Sequence, residues 1–341
     1  MCTSRSKCIL ITALLLGLTF SFPITPARSA EPLPIVVTLP VLKDWTQEIG
    51  GVHVSVTSLM TGYESEHTYS PKPSDLIAVR KARILVEVGA GLEVWVATLV
   101  KNAGNSQLLI VTTSQGIDLL PDHDVAEEKL ERGHEQHQQG NPHIWLDPSG
   151  ASIMVRHITD ALIDADPMHA LDYRTNSAAY LARLDQLQAE LVRRVQGISD
   201  RRIVVHHPAW PYFARHFRFH IVGTLLTQPG AEPSARRVHD IARQMKKDGI
   251  KVIVSEVQLN QKLPQLLARE TGARVAILTT LPGAVPGTET YLDMLRYNVL
   301  QLADALEKGE PRAYSQPPVR ESDRRPSLPD IAHEQPSHYL L

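Results

Sequence analysis

The sequence predicts an α/β protein of two lobes, each a mainly parallel four-stranded sheet with flanking helices, joined by one long rigid helix. Three observations predict it. Short apolar runs alternate with longer helical patterns from residue 31 onward. The same alternation starts again near residue 202. Between the two blocks lies a single amphipathic stretch of 26 residues, Leu171–Gln196. Strands alternating with helices favour parallel sheets, because parallel neighbours need a crossover connection.

In the first block, Ile35–Leu39, Val52–Leu59, Ile84–Val88 and Leu108–Val111 read as buried strands. Val41–Ile49, Ser74–Ala82 and Leu92–Ala103 read as the helices between them. In the second block the strands are Arg202–His206, Phe219–Leu225, Val252–Glu256 and Val275–Leu278. Its helices are Pro211–Phe217, Ser234–Lys247, Leu263–Thr271 and Glu289–Leu306. In the connecting stretch, Leu181, Leu184, Leu187, Leu191 and Val195 recur at steps of three and four and make one apolar face. Gly197 follows as a stop. Such a helix runs about 39 Å at 1.5 Å per residue. A packed helix permits less closure between lobes than flexible hinges do.

Outside the lobes, the first residues read as a targeting segment. Arg5 and Lys7 precede the apolar run Ile9–Phe20, and Ala27 and Ser29 offer small residues for cleavage after Ser29 or Ala30. The run of 12 residues is short for a bilayer span, so the pattern is that of a secretory signal peptide. The expected organisation is a signal peptide at 1–29, a first lobe at 30–168, a linker helix at 169–197 and a second lobe at 198–310. A tail at 311–341, rich in Pro, Ser and charge, is expected to be disordered.

Composition narrows the function. The chain has 341 residues, 43% hydrophobic and 21% charged, with net charge −2. No basic surplus points to nucleic acid or an anionic membrane. Cleavage would take the basic residues from 35 to 32 against 37 acids, a net charge of −5. It would also remove both cysteines, Cys2 and Cys8. A metal site must then use His, Asp, Glu or water. Cys8 precedes the apolar run and is badly placed for lipid attachment. The expected state is a monomer in the periplasm.

Of 15 histidines, position selects three. His157, His169, His216 and His239 sit in helical stretches without a partner pattern, and His53 and His220 lie near strand starts. His67 follows a strand and precedes the stiff turn of Pro71 and Pro73. His143 sits between two prolines in NPHIWLDP, and His207 follows a strand in VVHHPAWPYF. His67 and His207 thus lie beyond carboxyl ends of strands, where open parallel sheets collect ligands. Three neutral imidazoles suit zinc, whereas manganese prefers more oxygen. On a strand, neighbours face opposite ways, so one of His206 and His207 enters the site. Proton competition is expected near pH 6.5, because ligating imidazoles must be neutral.

At SEHTYSPKPSDL, NPHIWLDP, VVHHPAWPYFARHF and GTETYLDMLRYNV the sequence resembles the metal-binding proteins of zinc and manganese ABC importers, the cluster A-I solute-binding proteins. The resemblance covers nearly all of residues 32–308. It implies two α/β lobes bridged by one long helix, and His67, His143 and His207 as the first, second and third ligands. Histidine at the third position resembles the zinc branch, and glutamate the manganese branch. The family's fourth ligand is an aspartate after the last strand, and in AILTTLPGAVPG that position falls on Thr279, a poor ligand. Candidates for the fourth position are a water, ranked first, Glu256, ranked second, and a rearranged side chain. Glu256 could equally hold an imidazole in place. Without a carboxylate the site would keep charge +2, which a hydroxide or anion could neutralise.

The segment 121–141 stands where zinc-binding members carry a histidine-rich insertion. Here it is acidic, with His123, His134 and His137, and reads as a solvated loop or a weak collector of zinc.

The leading reading is a periplasmic receptor that captures Zn2+ between two lobes and delivers it to the membrane permease of an ABC importer. No nucleotide-binding loop is recognisable in the chain, so no ATP hydrolysis is expected of it. The alternatives are a manganese or iron receptor of the same build and, from another class, a zinc hydrolase using three histidines and an open water position. A surface adhesin is a further role that some of the family carry.

Overall fold

The computed structural model describes residues 31–121, 140–226 and 232–307. The targeting segment, both cysteines, His123, His134, His137 and the tail lie outside the described residues. Among the described residues eight strands form two separate sheets. The first holds β1 (Leu33–Val37), β2 (Val54–Ser58), β3 (Ile84–Glu87) and β4 (Leu109–Thr112) in the order β2-β1-β3-β4. The second holds β5 (Arg202–Val205), β6 (His220–Thr224), β7 (Val252–Glu256) and β8 (Arg274–Leu278) in the order β6-β5-β7-β8. Every pairing is parallel. The identical order gives each sheet a switch point beside its first strand, where chain connections diverge and leave a crevice at the carboxyl ends.

The helices among the described residues are α1 (Pro40–Gly50), α2 (Pro73–Lys81), α3 (Val96–Ala103), α4 (Pro148–Ala165), α5 (Ala170–Val195), α6 (Pro211–Phe217), α7 (Ala235–Asp248), α8 (Lys262–Thr271) and α9 (Tyr291–Glu307). The connecting helix α5 buries Leu184, Leu187, Leu191 and Val195 of the stripe expected of it, leaves Leu181 partly buried, and extends the stripe backwards through Tyr180, Ser177 and Tyr173. No helix of the described residues is long and apolar enough to cross a membrane.

Two differences from the sequence reading have physical causes. The first concerns α4, which had not been assigned as an element. Its signals are present: the Asp147 side chain accepts from the Ser149 N–H, Pro148 opens the first turn, and Ala151, Met154, Val155, Ile158 and Leu162 are buried at helical spacing. The second concerns α3, which begins at Val96 and not at Leu92. Gly89, Ala90 and Gly91 all have positive φ, so the chain turns before it coils. The buried Glu93 carboxylate fastens that turn, accepting from Val88 N, Gly89 N and the Thr38 hydroxyl.

The two sheets share one apolar core. Its centre is aromatic and fully buried: Trp45, Trp145, Tyr180 and Tyr291. The Trp45 indole donates to Tyr180 Oη at 2.9 Å and meets Tyr291 edge-on at 5.0 Å between centroids. Trp145 N–H donates across to the Thr280 carbonyl at 2.7 Å, and Tyr291 O–H donates back to the Trp145 carbonyl at 2.8 Å. Both halves of the chain therefore meet at a dry, hydrogen-bonded seam.

Trp145→Ala removes the largest side chain of this seam and orphans the Thr280 carbonyl. It is expected to destabilise the metal-free protein by about 3–5 kcal/mol, read from the urea midpoint at unchanged slope. A loss below about 1 kcal/mol would mean that the seam does not hold the sheets together.

Candidate metal centre

Three connections bring the site residues together. The loop after β2 carries Glu66 and His67. The segment entering the short helix Ile144–Leu146 carries His143. The turn after β5 carries His206 and His207. The first two belong to the first sheet and the third to the second, so the site straddles the seam.

His67, His143 and His207 each offer a ring nitrogen, and these atoms all lie within 4.8 Å of one another. The ring centroids are 5.0, 5.1 and 5.1 Å apart, close to an equilateral triangle. His67 Nε2 and His143 Nε2 stand 3.1 Å apart. Among the described residues this is the one group of three or more His, Cys, Asp or Glu arranged to hold a metal ion. His143 and His207 are buried, and His67 is half-buried.

Hydrogen bonds fix which nitrogen points inward. Asn141 Oδ1 accepts from the His143 backbone N–H and from His143 Nδ1, each at 3.0 Å. That assigns the proton to Nδ1 and leaves Nε2 as a lone pair facing the other rings. Asn141 Nδ2 in turn donates to the Pro208 carbonyl at 2.7 Å, beside His207. The Tyr212 hydroxyl donates to the Asn141 carbonyl at 2.8 Å. His207 Nε2 is buried without a hydrogen-bond partner. A buried ring nitrogen with no partner costs free energy unless something binds it.

Burial keeps two of these rings uncharged. It lowers His143 to about 3. It also holds His207 well below the usual imidazole range, with the neighbouring rings of His143 and His67 adding to the effect. The competition with protons expected near pH 6.5 therefore moves lower for two of the three rings. His206 stays outside the group. Its Nδ1 pairs with Ser255 Oγ at 2.9 Å, and burial lowers it to about 4.

Two buried carboxyl groups flank the cluster. Glu66 Oε1 lies 3.6 Å from His143 Nε2 and has no hydrogen-bond partner. Glu256 Oε1 accepts from the Trp210 indole at 2.5 Å and lies 3.8 Å from His207 Nδ1, while its Oε2 is unpartnered. Burial first, then the nearness of Glu66, pushes Glu256 up to about 8. Sequence reasoning passed over Glu66, although it adjoins His67. In an irregular loop, consecutive side chains need not face opposite ways as they do on a strand. The signal was a carboxylate next to a candidate ligand. With these two groups present, charge compensation does not depend on an external hydroxide or anion.

Thr279 lies fully buried at the end of β8. Its hydroxyl donates to the Leu281 carbonyl at 2.7 Å and accepts from Leu281 N at 3.2 Å and from Gln258 Nε2 at 3.1 Å. Asn298 brackets its peptide group.

Comparison with known proteins agrees with this geometry. Residues 35–305 match the sequence model of the zinc-uptake complex component A, periplasmic. A putative metal-binding protein of Treponema pallidum (strain Nichols) is 30% identical over 295 residues, covering 83% of this chain and 91% of that one. The zinc-binding protein AdcA of Streptococcus pyogenes serotype M3 is 26% identical over 310 residues. That alignment takes in 86% of this chain and 60% of AdcA, so this chain spans well under two thirds of that relative. A crystal structure of ZnuA superposes with TM-score 0.70 at 28% identity, covering 80% of this chain and 98% of that one. With two parallel sheets, one long connecting helix and a family match over most of its length, the chain belongs to the family of the periplasmic zinc-uptake component ZnuA, the substrate-binding proteins of cluster A-I.

Proposed function

We propose that this chain captures Zn2+ between its lobes, 30–168 and 198–310, and delivers it from the periplasm to the permease of an ABC importer. The observation that carries this reading is the convergence of three ring nitrogens, one of them buried with no hydrogen-bond partner. The ion is cargo. His67, His143 and His207 are its ligands in this reading, and a water or the Glu66 carboxylate takes the fourth position. Three neutral nitrogens with at most one carboxylate suit zinc better than manganese, which favours oxygen. Desolvation acts in the same direction: it prevents protonation of His143 and His207, so there the ion meets neutral rings and not cations. Glu256 stands on the Nδ1 side of His207, placed to stabilise the charge that the ring gains when it binds a cation. The seam keeps His143 and His207 close before any ion arrives, which lowers the ordering cost of capture.

Competition titration with a chromophoric chelator tests the reading. The protein is expected to prefer zinc over manganese. His143→Ala is expected to lower zinc affinity by more than the roughly 100-fold that loss of a ring-orienting partner costs. Equal affinity for the two metals would overturn the choice of ion, and an unchanged His143→Ala would overturn the choice of ligands.

The pH dependence follows from burial. An imidazole with an apo-state pKa of about 3 carries no proton to displace between pH 5 and 6.5. The carboxyl of Glu256, held near 8, remains able to release one proton. Zinc affinity in that window is therefore expected to fall by clearly less than three decades for each unit that the pH drops, since His143 and His207 are already free of protons. A slope of three or more would mean that all three rings are solvated before the ion binds.

A further inference from the structure

The metal-site segments are held to the second sheet unequally. Residues 141–147 are fastened by a series of bonds: Asn141 to Pro208, Tyr212 to Asn141, Trp145 to Thr280, and Asp147 to Arg215 and His216. The loop carrying Glu66 and His67 is joined to that half by a side-chain hydrogen bond near its start. Gln258, two residues beyond the end of β7, donates from Nε2 to the Gly62 carbonyl at 2.9 Å. The same amide nitrogen donates to Thr279 Oγ1 at 3.1 Å. Gln258 Oε1 is buried without a partner, so the amide is anchored from its nitrogen alone.

The loop transmits this hold. Gly62 has φ +102, and a Cβ there would meet the Pro282 carbonyl at 2.7 Å. Only glycine lets the loop lie against residues 282–284. From Gly62 to His67 the chain is short and internally braced: Thr61 N and Oγ1 donate to Glu64 Oε2, and Thr68 N donates to the Ser65 carbonyl. A displacement of Gly62 thus carries Glu66 and His67 with it. Thr279, in turn, orients the latch. Its hydroxyl hydrogen goes to Leu281 O, so an oxygen lone pair remains for Gln258. The position where the resemblance expects a metal-ligating aspartate here serves as the anchor for the amide that grips the opposite lobe.

We propose that Gln258, braced by Thr279, is a positioning residue that latches the His67 loop across the lobe boundary and sets how fast the bound ion is released. The proposal rests on His67 being a ligand. In this arrangement His143 and His207 are a fixed pair, and the loop of the third ligand is gated by the Gln258 hydrogen bond. Losing the latch frees the loop, so the ion dissociates faster while capture by the fixed pair is little changed.

The test is a double-mutant cycle on the full chain. Gln258→Met keeps the length and bulk of the side chain and removes the donor. Zinc release into excess chelator is followed by stopped flow, and capture is measured separately. Gln258→Met is expected to raise the release rate about tenfold, the scale of one net hydrogen bond, with the capture rate within about twofold. The visible spectrum of the Co2+-loaded variant is expected to change as the third imidazole is loosened. In the His67→Ala background, Gln258→Met is expected to change nothing further, because the loop then has no imidazole to place. Wild-type release rates in Gln258→Met beside a weakened His67→Ala overturn the latch and leave the ligand set standing. An equal increase in both backgrounds marks a general structural effect and also overturns it. Wild-type zinc binding by His67→Ala removes the ligand assignment and the latch with it.

Discussion

Everything at the metal centre depends on the buried seam between the two sheets, and above all on the hydrogen bonds of residues 141–147. Three imidazoles from distant parts of a chain can share one ion only if the chain places them within a few ångströms beforehand. Asn141 performs two tasks in this respect. One end of its amide selects the tautomer of His143, and the other end grips the Pro208 carbonyl beside His207. The geometry of the site and the cohesion of the lobes are thus parts of one network. Trp145, two residues beyond His143, extends it into the core through Thr280. In a dry interior such bonds hold firmly, because an unmade one leaves a desolvated group without a partner.

The same dryness sets the electrostatics. Burial lowers His143 and His207 and raises Glu256. Each shift favours the neutral form, as expected where charged groups lose water. The result is a centre in which the rings of His143 and His207 are neutral when empty, with two carboxyl groups, Glu66 and Glu256, at its walls. A divalent cation arriving there reverses the preference, since ionised carboxyl groups then gain a partner. The site is accordingly poised for a cation without the repulsion that a ring of imidazolium groups would create.

The sequence of elements was readable because its signals are local. Apolar runs, helical periodicity, and prolines at helix starts mark the strands and most helices to within a few residues. The helix Pro148–Ala165 carried the same signals and was passed over, its Asp147 cap and Pro148 start overshadowed by the motif NPHIWLDP that they complete. The late start of α3 was hidden for another reason. Leu92 and Glu93 look helical by type, and the stretch is held in a turn by Glu93, which accepts from Val88 N, from Gly89 N and from Thr38, 55 residues away.

The sequence by itself determined the two-block α/β plan, the connecting helix and the residue types available for a metal, because periodicity and composition act over a few neighbouring residues. It also singled out His67, His143 and His207 by their places beyond strands and between prolines. Only the tertiary structure decided that their ring nitrogens meet, that His206 turns away, and that Glu66 and Glu256 stand at the cluster. It also decided that Thr279 has its hydroxyl committed to Leu281 and Gln258. These depend on burial and on hydrogen bonds between residues far apart in the chain. No local pattern records either one, because both exist only once the two sheets have closed on their shared core.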